Sequence, residues 1–277
     1  MAGHCIYRKE NDDAHLEIWE EGDRRSLWFD DVILQTEINI HDPAVLPNPV
    51  NRAMLAQLMF GLPMQRVLLA GCGGGAIARW LHARAPEVYG DAIEVSGTVA
   101  RLAREYFEFP PPESNWELEV ADVRERIVIG NSPYDYILVD LEENQTTPRW
   151  TTEAAFLEGC RNHLSARGTL TLNLLLDDAT RISEALLRIR QTFGSDILLL
   201  SNPGHDNLLV LAFRSRAPQT PSPDALVAQG RRWGIDFVSL AARLTRLNAT
   251  TAGVSPPSQR NPGRVGLARV AFGLRFA

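Results

Sequence analysis

Lysine is almost missing from this chain. Lys9 is the only one in 277 residues, so arginine carries the positive charge, a bias of composition rather than of chemistry. Cysteine is scarce too: Cys5, Cys72 and Cys160 lie far apart with no C-x-x-C spacing, which argues against a disulfide framework and against a zinc site and suits a reducing compartment. The histidines at 4, 15, 41, 82, 163 and 205 form no H-x-x-x-H or H-x-H pair, so no metal is expected. No run approaches the ~18 apolar residues of a membrane span, and Met1 to Glu10 holds no apolar signal region. A cytoplasmic protein without a membrane partner is the expectation. The net charge of −6 argues against nucleic acid as a partner and suits a cationic small molecule. Acid is absent from one stretch: Arg243 to Ala277 holds arginines 243, 246, 260, 264, 269 and 275 and no carboxylate.

The chain is long enough for one principal domain with additions at its ends. Residues 15–40 read as a small antiparallel sheet: His15 to Glu20 alternates, Glu21-Gly22-Asp23 turns, Arg25 to Phe29 returns, and Val32 to Ile40 alternates again. His41 to Pro49 is a proline-bearing connector, and Arg52 to Phe60 has the apolar spacing of a helix. Strand and helix then alternate. Strands are predicted at 66–70, 88–94, 116–120, 134–139, 168–176, 196–201 and 207–213, and helices at about 75–84, 97–107, 152–164 and 178–193, with Thr152 as an N-cap. Apolar strands separated by helices imply a parallel sheet covered on both faces. Between the last two strands only Asn202 to Asp206 remains, too short for a helical crossover, so these two form an antiparallel hairpin. Residues 217–223 read as a linker, a short helical region follows between Asp224 and Leu247, and the last thirty residues read as disordered by composition.

The most informative stretch is Val67-Leu-Leu-Ala-Gly71-Cys-Gly73-Gly74-Gly75, an apolar strand running straight into a glycine loop that a nucleotide-like ligand can approach closely. Ala76 also permits the dinucleotide pattern G-x-G-x-x-A. Three carboxylates follow at later strand ends. Glu94, before Val95, lies near the ~20-residue interval at which an acid accepts from both ribose hydroxyls. Asp122, before Val123, can accept from an exocyclic adenine amino group, cap the helix 123–129, or do both. Asp140 ends the fourth strand near the expected switch point of the sheet, where open α/β folds bind ligands. Asp140, Glu142 and Glu143 crowd one loop, an arrangement that can hold a cation, orient an amine nucleophile, or stand as a solvated acidic loop, and that raises the pKa of one member by like-charge repulsion.

A mostly parallel sheet ending in an antiparallel hairpin resembles the AdoMet-dependent transferases rather than NAD enzymes. More closely, Leu16 to Phe213 resembles the spermidine synthase (polyamine aminopropyltransferase) family, in its divergent spermidine synthase-like branch, through the N-terminal β piece, the glycine loop, Ile93-Glu94-Val95, Ala121-Asp122, Ile137-Leu138-Val139-Asp140, the strand Leu208 to Phe213, and Ala103-Arg104-Glu105-Tyr106-Phe107 followed by prolines. The resemblance implies a β-strand domain at 1–50 and a Rossmann-like catalytic domain at 51–216, to which the composition adds a linker and helical extension at 217–247 and a basic tail at 248–277.

It also implies decarboxylated S-adenosylmethionine or S-adenosylmethionine as donor, no metal, and a small-molecule amine such as a diamine as acceptor. Gly71, Gly73, Gly74, Gly75, Glu94, Val95, Asp122, Val123 and Asp140 would bind the donor, Glu142 and Glu143 the amine, with Glu143 and Asp140 catalytic. A glutamine expected on the β piece is Gln35, although matching Thr36-Glu37 instead puts Leu34 there.

By the same resemblance, the N-terminal β piece offers a surface for homodimer contacts. Three departures stand out. Glu143 replaces an aspartate, Gly74 replaces the loop aspartate that pairs with the aminopropyl ammonium, and Asn51-Arg52-Ala53-Met54 falls where a tyrosine and an acid line the diamine site. AdoMet-dependent methyl or other alkyl transfer, and nucleoside binding without catalysis, are the alternative readings.

Overall fold

The computed structural model describes residues 3–11, 14–30, 33–129, 133–176, 178–194 and 196–247; the basic tail expected to be disordered lies outside these. The chain forms two compact units, one taking Met1–Arg52 and Met64–Ile129, the other Ala53–Pro63 and the chain from Gly130 onward.

The first unit begins with an antiparallel sheet of four strands: β1 (His4–Asn11), β2 (Ala14–Glu21), β3 (Arg24–Phe29) and β4 (Ile33–Asn39), ordered β1-β2-β3-β4. Alternation buries Leu16, Ile18, Leu27 and Ile38 on one face, where they pack with Leu102 and Phe107. The sequence pattern predicts three strands. It misses β1 because Arg8, Lys9 and Glu10 mask the alternation and a register shift between Cys5 and Tyr7 breaks it; pairing with β2 holds the strand instead. A second irregularity matters more. Leu27 opposes Thr36 but Trp28 opposes Leu34, leaving Gln35 as the extra residue of a β-bulge.

The predicted helix over 52–60 is two pieces, α1 (Pro49–Met54) and a 3-10 turn (Ala56–Phe60) ended by Gly61. The first unit continues with β5 (Arg66–Ala70), α2 (Ala76–Arg84), β6 (Tyr89–Glu94), α3 (Gly97–Tyr106), β7 (Trp116–Val120) and α4 (Val123–Ile129). β5 pairs with β6 and β6 with β7, both in parallel, as apolar strands with intervening helices require. Ser96 caps α3 by accepting from the Val99 amide at 3.3 Å.

The second unit holds β8 (Tyr134–Val139), α5 (Ala154–His163), β9 (Leu164–Leu175), α6 (Ala179–Phe193), β10 (Ile197–Ser201), β11 (Asn207–Phe213), α7 (Pro223–Trp233), α8 (Phe237–Ala241) and β12 (Leu244–Leu247). β8 and β9 are parallel, while β11 runs antiparallel to both β9 and β10. The expected terminal hairpin is therefore present and larger than expected, because β12 adds a third antiparallel strand along β10. Four residues containing Thr245 and Arg246 carry too little pattern to be recognised alone. Thr152 is not a helix cap: it closes a 3-10 turn (Arg149–Thr152) and its hydroxyl donates to the Arg149 carbonyl at 3.2 Å, while Glu153 takes the N-cap position of α5 without a side-chain bond. The fold class is as expected, a mostly parallel α/β sheet with terminal antiparallel strands after a small antiparallel sheet. No described helix is long and apolar enough to cross a membrane.

Candidate active site

β5 delivers the chain into the glycine loop, and the loop is tied to the end of β6. Gly71 N donates to the Ile93 carbonyl at 3.0 Å. The Cys72 and Gly73 amides donate to Glu94 Oε2 at 3.2 and 3.1 Å, and the Ser96 amide donates to Oε1 at 3.0 Å. Glu94 is thus an organising acceptor for three backbone N–H groups rather than a loose strand-end charge. A carboxylate offers about four acceptor positions, so it retains capacity for hydroxyl donors as well.

Two loop positions admit only glycine for steric reasons. Gly75 sits in the left-handed region at φ 75°, and a Cβ there would lie 2.6 Å from Phe109 Cδ2. At Gly74 a Cβ would lie 2.1 Å from Thr36 Cγ2. The β4 bulge therefore lies directly under the loop; the Gln35 carbonyl comes within 3.8 Å of the Cβ position of Gly73. Burial and then the Glu94 carboxylate push the Cys72 thiol up, so it stays protonated and is no nucleophile.

Sequence reasoning missed Arg79. It is 3% exposed within α2, where its Nε donates to the Pro43 carbonyl at 3.0 Å and its Nη1 to the Phe107 carbonyl at 2.7 Å. Desolvation lowers its pKa to about 10, which still leaves it charged at neutral pH. It ties the proline connector and the segment after α3 to the helix that follows the glycine loop. A lone cation inside Ala76-Ile-Ala-Arg79-Trp-Leu was the available signal.

At the ends of β6 and β7, which are in register at Glu94 and Val120, two apolar side chains face water: Val95 is 72% exposed and Val120 is 52% exposed. Val123, by contrast, is buried at the start of α4. Asp122 accepts from the Arg124 amide at 2.8 Å and pairs with the Arg124 guanidinium, whose hydrogen bond holds its carboxyl below its ordinary value. Arg52, the departure noted before β5, donates to the Pro47 carbonyl at 2.6 Å and to the neighbouring Leu46 carbonyl. It is held by its own connector.

In the second unit, Asp140 follows β8 and its Oδ1 accepts from Asn173 Nδ2 at 2.8 Å; Asn173 Oδ1 in turn accepts from Asn207 Nδ2 at 3.0 Å. Neither asparagine stood out in the sequence, because the register of β9 against β11 is what aligns them. Asp140 keeps an exposed edge, yet the protein packed around it raises its carboxyl, with the Asn173 hydrogen bond acting in the opposite sense. Burial first and Asp140 second raise the Glu142 carboxyl, so like-charge repulsion is present as anticipated but is the smaller cause.

Glu143 opens a tight turn. Glu143 and Thr146 exchange backbone hydrogen bonds at 2.9 and 3.1 Å around Asn144 and Gln145, both with positive φ. Thr146 and Thr147 are stitched to the end of β9: Thr146 Oγ1 donates to the Leu175 carbonyl at 3.0 Å, and the Leu175 amide donates to Thr147 Oγ1 at 2.7 Å. Arg181 adds bonds to Thr146 Oγ1 and the Thr147 carbonyl at 3.2 and 3.1 Å. The acidic loop is thereby a braced turn that presents Glu142 and Glu143 to solvent. Among the described residues, no group of three or more histidine, cysteine, aspartate or glutamate side chains is placed to hold a metal ion.

No family model matches the chain. It is 30% identical over 243 residues to a polyamine aminopropyltransferase of Chromobacterium violaceum, a match covering 86% of this chain and 92% of that one. In structure it is similar to a probable spermidine synthase from Corynebacterium glutamicum, with a TM-score of 0.72 at 18% identity over 92% of this chain and 99% of the other. It is also similar to a spermidine synthase solved with the transition-state analogue AdoDATO, with a TM-score of 0.65 at 20% identity over 86% and 82% of the two chains. At these identities the solved structures bear on the fold alone.

Proposed function

This chain belongs to the polyamine aminopropyltransferase family, and we propose from that premise that it moves an aminopropyl group from decarboxylated S-adenosylmethionine to a small-molecule amine such as a diamine. The observation that carries the proposal is the convergence of the Cys72, Gly73 and Ser96 amides on Glu94, which fixes an acceptor beside a loop with no side-chain bulk. Glu94 accepts from the ribose hydroxyls and Asp122 from the adenine amino group, the exposed Val95 flanks the base, and the buried Val123 contributes through its backbone. Gly71, Gly73, Gly74 and Gly75 let the donor approach backbone, and Gln35 and Asp140 are the further donor-binding candidates that the family resemblance supplies.

The reaction is a direct displacement. The neutral amine nitrogen attacks the carbon next to the sulfonium, the new C–N bond forms as the C–S bond breaks with its electrons going to sulfur, and methylthioadenosine leaves. The proton shed by the amine passes to a carboxylate, for which Glu143 and Asp140 are the candidates and Glu142 helps hold the cationic acceptor. Positioning and proton removal supply most of the rate. Burial raises the Asp140 carboxyl, the direction that suits a group that must take a proton.

The test is product formation from decarboxylated donor and diamine, with Glu143→Gln abolishing turnover while methylthioadenosine still binds. Unchanged turnover in that variant would remove Glu143 from the mechanism. A second reading, AdoMet-dependent methyl or other alkyl transfer, is favoured by one observation, the absence of a side chain at Gly74; tighter binding of intact AdoMet than of the decarboxylated form would select it. A cytoplasmic location and a homodimer belong to the same proposal, the latter checked by sedimentation.

A further inference from the structure

Arginines in this acidic chain commonly sit against a carboxylate: Arg66, Arg124, Arg126 and Arg246 each pair with an acid within 2.8 Å. One group departs from that pattern. In the second unit a solvent-open cleft of about 320 Å³ is walled by Arg149, Arg181 and Arg188, and Glu184 is the one carboxylate among the described residues that line it. Arg149 comes from the 3-10 turn Arg149–Thr152, just past the acidic loop, while Arg181 and Arg188 lie two turns apart on one face of α6. The Glu184 carboxylate reaches Arg188 only at 3.6 Å, and both side chains are about half exposed, so the pair neutralises little. Among the described residues, the Arg149 guanidinium has no hydrogen bond or ion pair.

Cations gathered around one cleft repel each other, and an anion between them turns that repulsion into attraction. The cleft is at the small end of ligand sites, and its described walls hold no aromatic ring on which a nucleobase could stack. Its size suits a single phosphoryl group. Guanidinium forks match phosphate oxygens, and a tetrahedral dianion can meet three of them where a planar carboxylate meets two. Arg181 connects the cleft to the acidic loop, since it donates to Thr146 Oγ1 and to the Thr147 carbonyl at 3.2 and 3.1 Å. We infer that this cleft binds a phosphate group, free or as a small monoester, and that the bound anion clamps the acidic loop by joining Arg149 at its far end to Arg181 on α6. The inference goes beyond the aminopropyltransferase reading and does not rest on it, so its failure leaves that reading standing.

Calorimetric titration of the full chain with inorganic phosphate and with methyl phosphate, each against sodium chloride at the same ionic strength, tests the binding. Phosphate should saturate one site per chain, and the tighter of the two probes tells the free ion from the ester. Arg149→Gln and Arg188→Gln should each weaken it about fivefold. Glu184→Gln removes the acceptor that competes for Arg188 and should tighten it about threefold, a gain that misfolding cannot produce.

The clamp has its own readout. The Glu143, Thr146 and Thr147 amides are hydrogen-bonded within the loop and to β9, so their hydrogen exchange reports how firmly the turn is held. Phosphate should slow exchange over 143–147 in the native chain and leave it unchanged when Arg149→Gln and Arg188→Gln are combined. Heat that chloride reproduces, or equal phosphate affinity in the native chain and the double variant, would overturn the site. Saturable phosphate binding with unchanged exchange over 143–147 would overturn the clamp.

Discussion

Removing the Glu94 carboxylate strikes at the glycine loop and at the proposed donor site together, and the two effects separate by assay. The side chain accepts from the Cys72, Gly73 and Ser96 amides at 3.2, 3.1 and 3.0 Å. In a half-buried setting each of these bonds is taken at about 1 kcal/mol, the central net value for a protein hydrogen bond, so Glu94→Ala should cost about 3 kcal/mol. For a chain of this size, about 2–4 °C per kcal/mol puts the loss near 6–12 °C in melting temperature. Glu94→Gln keeps one acceptor oxygen but turns an amino group toward backbone N–H donors, so it should fall about halfway between. Differential scanning calorimetry reads this directly, and titration with methylthioadenosine reads the second effect, a loss of affinity exceeding what Ser96→Ala, which leaves the Ser96 amide in place, produces. A Glu94→Ala protein that melts with the wild type would refute the claim that this carboxylate organises the loop.

Gly75→Ala should be destabilised by about 1–2 kcal/mol for its left-handed backbone, plus the collision with Phe109; pairing it with Phe109→Leu should recover the steric part of the melting loss and no more. Replacing Arg79 by Met leaves the Pro43 and Phe107 carbonyls without their buried donor and should cost about 1–3 kcal/mol for each one that water cannot reach, measurable by urea unfolding. Asn173→Leu removes the hydrogen bond that favours the charged form of Asp140, so the Asp140 pKa should rise further. If Asp140 must be ionised to accept a proton, the acidic limb of kcat/KM then moves to higher pH; a profile that stays put would exclude Asp140 as the titrating group. The stability linkage has the matching sign. A carboxyl raised in the folded state opposes folding at pH above its folded pKa, and that opposition is relieved as pH falls through it.

Much of the fold was legible because the buried strands are short apolar runs whose limits coincide with glycine, acid or proline. Arg66–Ala70, Trp116–Val120, Tyr134–Val139 and Asn207–Phe213 lie where the pattern placed them. What escaped was structure created by pairing rather than by pattern. β1 is half-charged and irregular, and β12 has only four residues; each becomes a strand because a neighbour offers an open edge. The site divides in the same way. Glycines and strand-end carboxylates announce themselves by residue type, whereas Thr36, Arg79, Asn173 and Asn207 acquire their places through contacts across long stretches of sequence. Thr36 in particular is an ordinary strand threonine until the register of β3 and β4 sets it beneath Gly74.

Aminopropyl transfer is tested by incubating the chain with decarboxylated AdoMet and a diamine and following both products by mass spectrometry. Methylthioadenosine and the aminopropylated amine should form in equal amounts, with neither formed when Glu143→Gln replaces the native chain. Release of S-adenosylhomocysteine with a methylated product from AdoMet, and no methylthioadenosine from the decarboxylated donor, would contradict it.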